Sequence, residues 1–124
     1  MPKKCLVVDD NVETIDIVTF LLKRAGYDVL PAYDGEKGLA MAKSQRPDLI
    51  LLDIMMPVMD GVTMNQRLKD DPTTRDIPVI VMTARGGMEP MFQGPKASSI
   101  QGYLIKPFSQ KELLQKMDEV LKKA

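Results

Sequence analysis

The chain predicts a doubly wound α/β domain, with five short strands in one parallel sheet and helices on both faces. Three observations predict it. Short apolar runs alternate along the chain with longer stretches of helical period. Three of those runs are apolar almost throughout, as strands buried on both faces are. Several of the longer stretches begin or end on a residue suited to capping a helix.

Taken in order, residues 5–8 form the first strand and the weaker run 27–30 the second. Residues 48–52, 78–82 and 103–105 form the third, fourth and fifth. Between the first two, Ile15, Val18, Leu22 and Ala25 recur at helical spacing, and Gly26 stands where a helix ends in the left-handed conformation. Residues 35–46 make a second helix with Leu39 and Ala42 inward. Asp60 caps a third that carries Met64 and Leu68. Ser109 and Glu112 are spaced as a capping box for the last helix, whose apolar stripe is Leu113, Leu114, Met117, Val120 and Leu121. A fourth helix belongs between the fourth and fifth strands, but Gly94 and Pro95 interrupt it. Proline in a helix interior costs about 3 kcal/mol, so a short or interrupted fourth helix is expected.

Composition narrows the function. The 124 residues suit one domain, taken as 1–124, with 44% apolar and 27% charged residues. Seventeen Lys plus Arg balance seventeen Asp plus Glu, which speaks against a direct nucleic-acid surface. Cys5 is the only cysteine and lies in an apolar run, so it reads as a buried small hydrophobe rather than a disulfide partner. The apolar run near the start is too short for a signal peptide, and no stretch reaches a membrane-spanning length. A cytoplasmic location is expected. Histidine is absent, which removes the usual general base and transition-metal ligand. What remains are carboxylates, hydroxyls and lysine, and oxygen ligands suit hard cations such as Mg²⁺.

In open α/β sheets the functional groups gather at the carboxyl ends of the strands. Those ends read Asp9-Asp10, Asp53, Thr83 and Lys106. Singly, each is unremarkable: a strand-ending Asp is commonly a turn or cap residue, and Lys106 before Pro107 would otherwise mark only a strand boundary. Together they bring three carboxylates, a hydroxyl and an ammonium to one edge. Such a set suits phosphoryl chemistry. A divalent cation keeps the crowded acids ionised, Lys106 and Thr83 can meet phosphoryl oxygens, and the Asp53 carboxylate can attack phosphorus to give an acyl phosphate.

The segments Val7-Val8-Asp9-Asp10-Asn11, Leu52-Asp53-Ile54-Met55-Met56-Pro57-Val58-Met59-Asp60-Gly61, Val81-Met82-Thr83-Ala84 and Tyr103-Leu104-Ile105-Lys106-Pro107-Phe108 resemble the receiver domain of bacterial response regulators, over essentially the whole chain. The resemblance implies a flavodoxin-like strand order 2-1-3-4-5 and a stand-alone, chemotaxis-type switch of a two-component system. It implies that Asp53 accepts a phosphoryl group from a histidine kinase or phosphotransfer protein. Asp10 and Asp53 would bind Mg²⁺ directly, Asp9 through water, and the Met55 carbonyl would complete the set. Lys106 would pair with the phosphoryl group across a cis Lys106–Pro107 bond. Thr83 and Tyr103 would be the switch residues, reshaping the face of the fourth helix, fifth strand and fifth helix for a downstream protein partner. A monomer or weak dimer is implied, without nucleic acid or membrane as direct partner.

Departures bear on the output face and on turnover. Ser99-Ile100 stands where the family usually has a Gly-Ala pair, while Met55 and Arg85 occupy two variable positions flanking the phosphoryl site. Met41, Met64, Met82 and Met117 are at core spacing, whereas Met55, Met56 and Met59 are expected to be partly exposed. Other readings stay open. One is a degenerate receiver that binds partners without phosphorylation. Another is an aspartyl-phosphate phosphatase, although Met55 stands where those enzymes carry a second Asp. A third is a receiver cut from a longer regulator.

Overall fold

Strands β1 (Lys4–Val8), β2 (Asp28–Ala32), β3 (Leu49–Asp53), β4 (Val79–Thr83) and β5 (Gly102–Ile105) form one parallel sheet in the order β2-β1-β3-β4-β5. The structure is a computed structural model and describes residues 2–56, 59–83 and 100–123. The segment expected to hold a short or interrupted fourth helix, 85–99, lies outside the described residues, as do Pro57 and Val58.

Alternation along the strands builds two cores. Leu6, Val8, Ile50, Leu52, Val79 and Val81 face one way, onto helices α2 (Gly35–Gln45) and α3 (Gly61–Asp70) through Ala42, Met64 and Leu68. Cys5, Val7, Leu49, Leu51, Ile80 and Met82 face the other way. They meet α1 (Val12–Arg24) through Ile15, Val18 and Leu22, and α4 (Gln110–Lys123) through Leu113, Met117 and Val120. A period of two on a sheet covered on both sides is why β3 and β4 are buried at every position. The last helix, α4, is the one expected as the fifth.

Local signals fix the ends. The Asn11 side chain caps α1 by accepting from the Thr14 amide at 3.1 Å, and Asp60 caps α3 by accepting from Thr63 at 2.8 Å. Ser109 and Glu112 form the predicted capping box: Oγ of Ser109 accepts from the Glu112 amide at 3.0 Å, and the Ser109 amide donates to Glu112 Oε1 at 3.3 Å. Gly26 follows α1 at φ 93°, left-handed as expected. Two expectations need correction. Ala25 is the exposed C-cap of α1 and does not face inward, because the helix ends at Arg24. The second strand runs on to Ala32 through Pro31, which is tolerated because β2 is an edge strand bonded only to β1.

Chain order and strand order part company at β1. From there the chain adds β2 on one side, then returns to build β3, β4 and β5 on the other. Two connections leave the carboxyl ends of β1 and β3 in opposite directions, and the gap between them is where such a sheet binds ligands.

Candidate functional site

Register puts the acids side by side. Val8 pairs with Leu52, so the next residues, Asp9 and Asp53, leave neighbouring strands at the same level. Asp53 pairs in turn with Met82, and Thr83 with Ile105, which brings Thr83 and Lys106 to the same edge. The Lys106 amide donates to the Thr83 carbonyl at 2.7 Å, which extends the sheet by one rung and fixes the root of the lysine.

Lys106 Nζ is 2.7 Å from Asp9 Oδ2 and 3.7 Å from Asp53 Oδ2. Asp9 is fully buried, and its Oδ1 accepts from the Asn11 amide at 2.9 Å. Asp53 is 6% exposed, with Oδ1 accepting from the Met55 amide at 3.2 Å. Asp10 is exposed at the rim. One carboxylate oxygen from each of Asp9, Asp10 and Asp53 lies within 4.8 Å of the other two. That spacing suits a hard cation bound among the three carboxylates. The donor set is all oxygen, so these residues fit Mg²⁺ and could hold it. Thr83 is buried beside them at the end of β4, and the Lys106–Pro107 bond is cis.

Residues 5–118 match the family described as the response regulator receiver domain. The chain belongs to that family. The DNA-binding dual master transcriptional regulator RpaA of Synechocystis is 44% identical over 123 residues, covering 99% of this chain and 50% of that protein. The chemotaxis protein CheY4 of Vibrio cholerae superposes with a TM-score of 0.89 at 33% identity, covering 97% of this receiver and 99% of that chain. A receiver domain of the sensor histidine kinase PA1611 of Pseudomonas aeruginosa, described with a magnesium ion coordinated in its active-site cleft, gives 0.88 at 27% identity, covering 98% and 99%. The receiver spans about half the length or less of the curated relatives it matches. The curated relatives are regulators, signalling proteins rather than conventional enzymes.

Burial dominates the electrostatics of the receiver's site. The Asp53 carboxyl is pushed up to about 6, first by desolvation and then by the charge of Asp9. The Lys106 ammonium and the Met55 amide pull in the opposite direction and do not overcome this.

Of the expected residues, Asp9, Asp10, Asp53 and Lys106 are drawn together, with Thr83 alongside. Tyr103 sits one strand further out, half-buried against the core on the α2–α3 face. Arg85 lies outside the described residues. Met55 is 65% exposed as expected, but Met56 and Met59 are buried, which corrects the expectation for that loop. Their side chains fold under it into the core shared with α2 and α3.

The sequence reading missed Gly61 as more than part of a motif. Its amide donates to the Ile54 carbonyl at 2.9 Å. A Cβ at this position would run into the Asp53 carbonyl oxygen and lie 2.7 Å from Ile54 Cα. The first turn of α3 therefore rests directly on the peptide that follows Asp53. Gly61→Ala is expected to cost about 1–3 kcal/mol of stability, as overpacking does. Calorimetry would show this as a lower Tm, together with a smaller Tm gain on adding Mg²⁺.

Proposed function

We propose that residues 1–124 form one receiver domain that takes a phosphoryl group onto Asp53 from the phosphohistidine of a histidine kinase or phosphotransfer protein. A carboxylate oxygen of Asp53 attacks phosphorus, the bond from phosphorus to the histidine nitrogen breaks, and an acyl phosphate forms. The observation that carries this reading is Lys106 Nζ, held within 4 Å of both Asp9 and Asp53. An ammonium there can neutralise a phosphoryl oxygen on arrival, and the Thr83 hydroxyl can bind another. Asp10, Asp53 and the Met55 carbonyl would hold Mg²⁺, with Asp9 acting through water. The cation supplies charge neutralisation for the incoming group.

Movement of Thr83 towards phospho-Asp53, with Tyr103 turning inward, would reshape the neighbouring surface for a downstream protein. Support comes from their placement: Thr83 at the site, and Tyr103 on the adjacent strand, paired with Val81 two residues before Thr83. A groove of about 340 Å³, lined by Thr14, Ile17, Val18, Lys106, Pro107 and Phe108, opens beside the lysine. It fits a protein donor better than a small metabolite, because Ile17 and Phe20 stand exposed on the same helix. No helix among the described residues is long and apolar enough to cross a membrane. A cytoplasmic monomer or weak dimer, with no direct hold on nucleic acid, completes the reading.

The test is incubation with Mg²⁺ and acetyl phosphate, followed by intact-mass measurement. One phosphoryl group per chain is expected. Turnover of added phosphate esters would point to an enzyme instead, and no Mg²⁺-dependent change would point to a degenerate receiver. The phosphorylated form is expected to decay slowly, over minutes or longer. The thioether of Met55 is a weak hydrogen-bond acceptor and cannot orient an attacking water. Decay within seconds in purified protein would contradict this.

A further inference from the structure

The loop after Asp53 carries three methionines, and the fold treats them differently. Met56 and Met59 are each 8% exposed and belong to the core. Met59 is further boxed in by α2, since a Cβ on Gly35 would lie only 3.0 Å from Met59 Cβ. Met64, Met82 and Met117 are fully buried, and Met41 is partly so. Among the described residues, Met55 is thus the one methionine whose side chain stands mostly in solvent.

Its position relative to the acceptor is fixed. The Met55 amide donates to Asp53 Oδ1 at 3.2 Å, which closes a tight turn over the carboxylate. The root of the Met55 side chain therefore stands close beside the Asp53 carboxylate. An exposed thioether is open to oxidation, and its sulfoxide is polar and can be reduced back enzymatically.

We propose that Met55 is an oxidation site, and that its sulfoxide shortens the lifetime of phospho-Asp53 in the presence of peroxide-class oxidants. The inference rests on the reading of Asp53 as the acceptor. In the oxidation, a sulfur lone pair takes one oxygen of hydrogen peroxide, the O–O bond breaks, and water leaves. Sulfur loses two electrons and the peroxide gains them. The new S=O oxygen is a strong acceptor where the thioether was a weak one, so it can hold a water beside the phosphoryl group. In hydrolysis that water oxygen bonds to phosphorus as the bond from phosphorus to the Asp53 oxygen breaks. Inorganic phosphate departs with the water's proton, and the free carboxylate is restored. Crowding does not reverse the sign, because the oxygen is added to a side chain already largely in solvent.

The test uses the whole chain. One portion is treated with a low dose of hydrogen peroxide before labelling with acetyl phosphate and Mg²⁺, and a second portion is left untreated. Peptide mass spectrometry locates the added oxygen, and decay of the labelled form is followed in both. Oxidation of Met55 ahead of the buried methionines is expected. Decay should quicken about fivefold, the rate equivalent of one ordinary hydrogen bond in the transition state. Methionine sulfoxide reductase should restore the slow decay, and Met55→Leu protein should decay at the same rate treated or untreated. Unchanged or slower decay with Met55 fully oxidised overturns the proposal. Equal acceleration in Met55→Leu also overturns it, since the effect would then lie elsewhere. If the untreated protein takes no label at all, the acceptor assignment itself fails and takes the inference with it.

Discussion

Asp53→Asn protein is expected to take no phosphoryl label and yet to be more stable than the parent. The label is lost because the amide offers no carboxylate oxygen to phosphorus. The stability gain comes from the site's electrostatics. Asp53 titrates at about 6 in the fold against 3.8 for an unperturbed Asp, because burial and the neighbouring Asp9 oppose its charge. A carboxyl whose folded value is raised contributes fully to stability below its unfolded value. That contribution is lost as the pH rises from about 4 through about 6. The amide does not titrate. In Mg²⁺-free buffer the two proteins should therefore differ little through this group near pH 3, and the variant should lead by up to about 3 kcal/mol at pH 7. Thermal melts across that range would show it. A variant less stable than the parent at pH 7 would mean that Lys106 outweighs Asp9 and desolvation.

Lys106→Met is expected to move stability the other way. Asp9 has no exposure, and its Oδ2 faces the ammonium at 2.7 Å. Without the lysine a buried carboxylate is left with one backbone donor, the Asn11 amide, and no counter-charge among the described residues. Removing one partner of a buried pair costs about 3 kcal/mol or more, most of it the desolvation of the charge left behind. Denaturant unfolding at pH 7 should register that loss. Mg²⁺ should recover part of it by replacing the missing positive charge, so the cation should raise Tm more in the variant than in the parent. Labelling by acetyl phosphate should slow sharply, since the ammonium proposed to neutralise a phosphoryl oxygen is gone.

Much of this geometry was legible before any coordinates. Apolar runs ended abruptly on Asp9, Asp53, Thr83 and Lys106, and a parallel sheet aligns such ends by its hydrogen-bond register. Ser109 with Glu112, and Asp60, marked helix starts because their spacing satisfies particular orphan amides. What stayed hidden depended on neighbours distant in sequence. Met56 and Met59 looked like loop residues because nothing local says that α2 closes over them. Gly61 stands in the sequence only as part of a motif, and only the approach of α3 to the Asp53 peptide reveals why a Cβ has no room. Lys69 looks like a solvated helix lysine, yet its Nζ donates to the carbonyls of Arg75 at 3.2 Å and Ile77 at 3.0 Å, bracing the connection into β4. The burial that permits this pulls its ammonium below the usual lysine range.

The bond between Lys106 and Asp9 joins residues 97 positions apart. No fragment containing only the first four strands can assemble this ion pair, however well those strands are paired. A chain still emerging from the ribosome, or one whose final strand has come undone, presents crowded acids without their cation. The neutralised acid cluster is thus a property of the completed sheet, and damage or delay at β5 leaves Asp9 buried without its counter-charge.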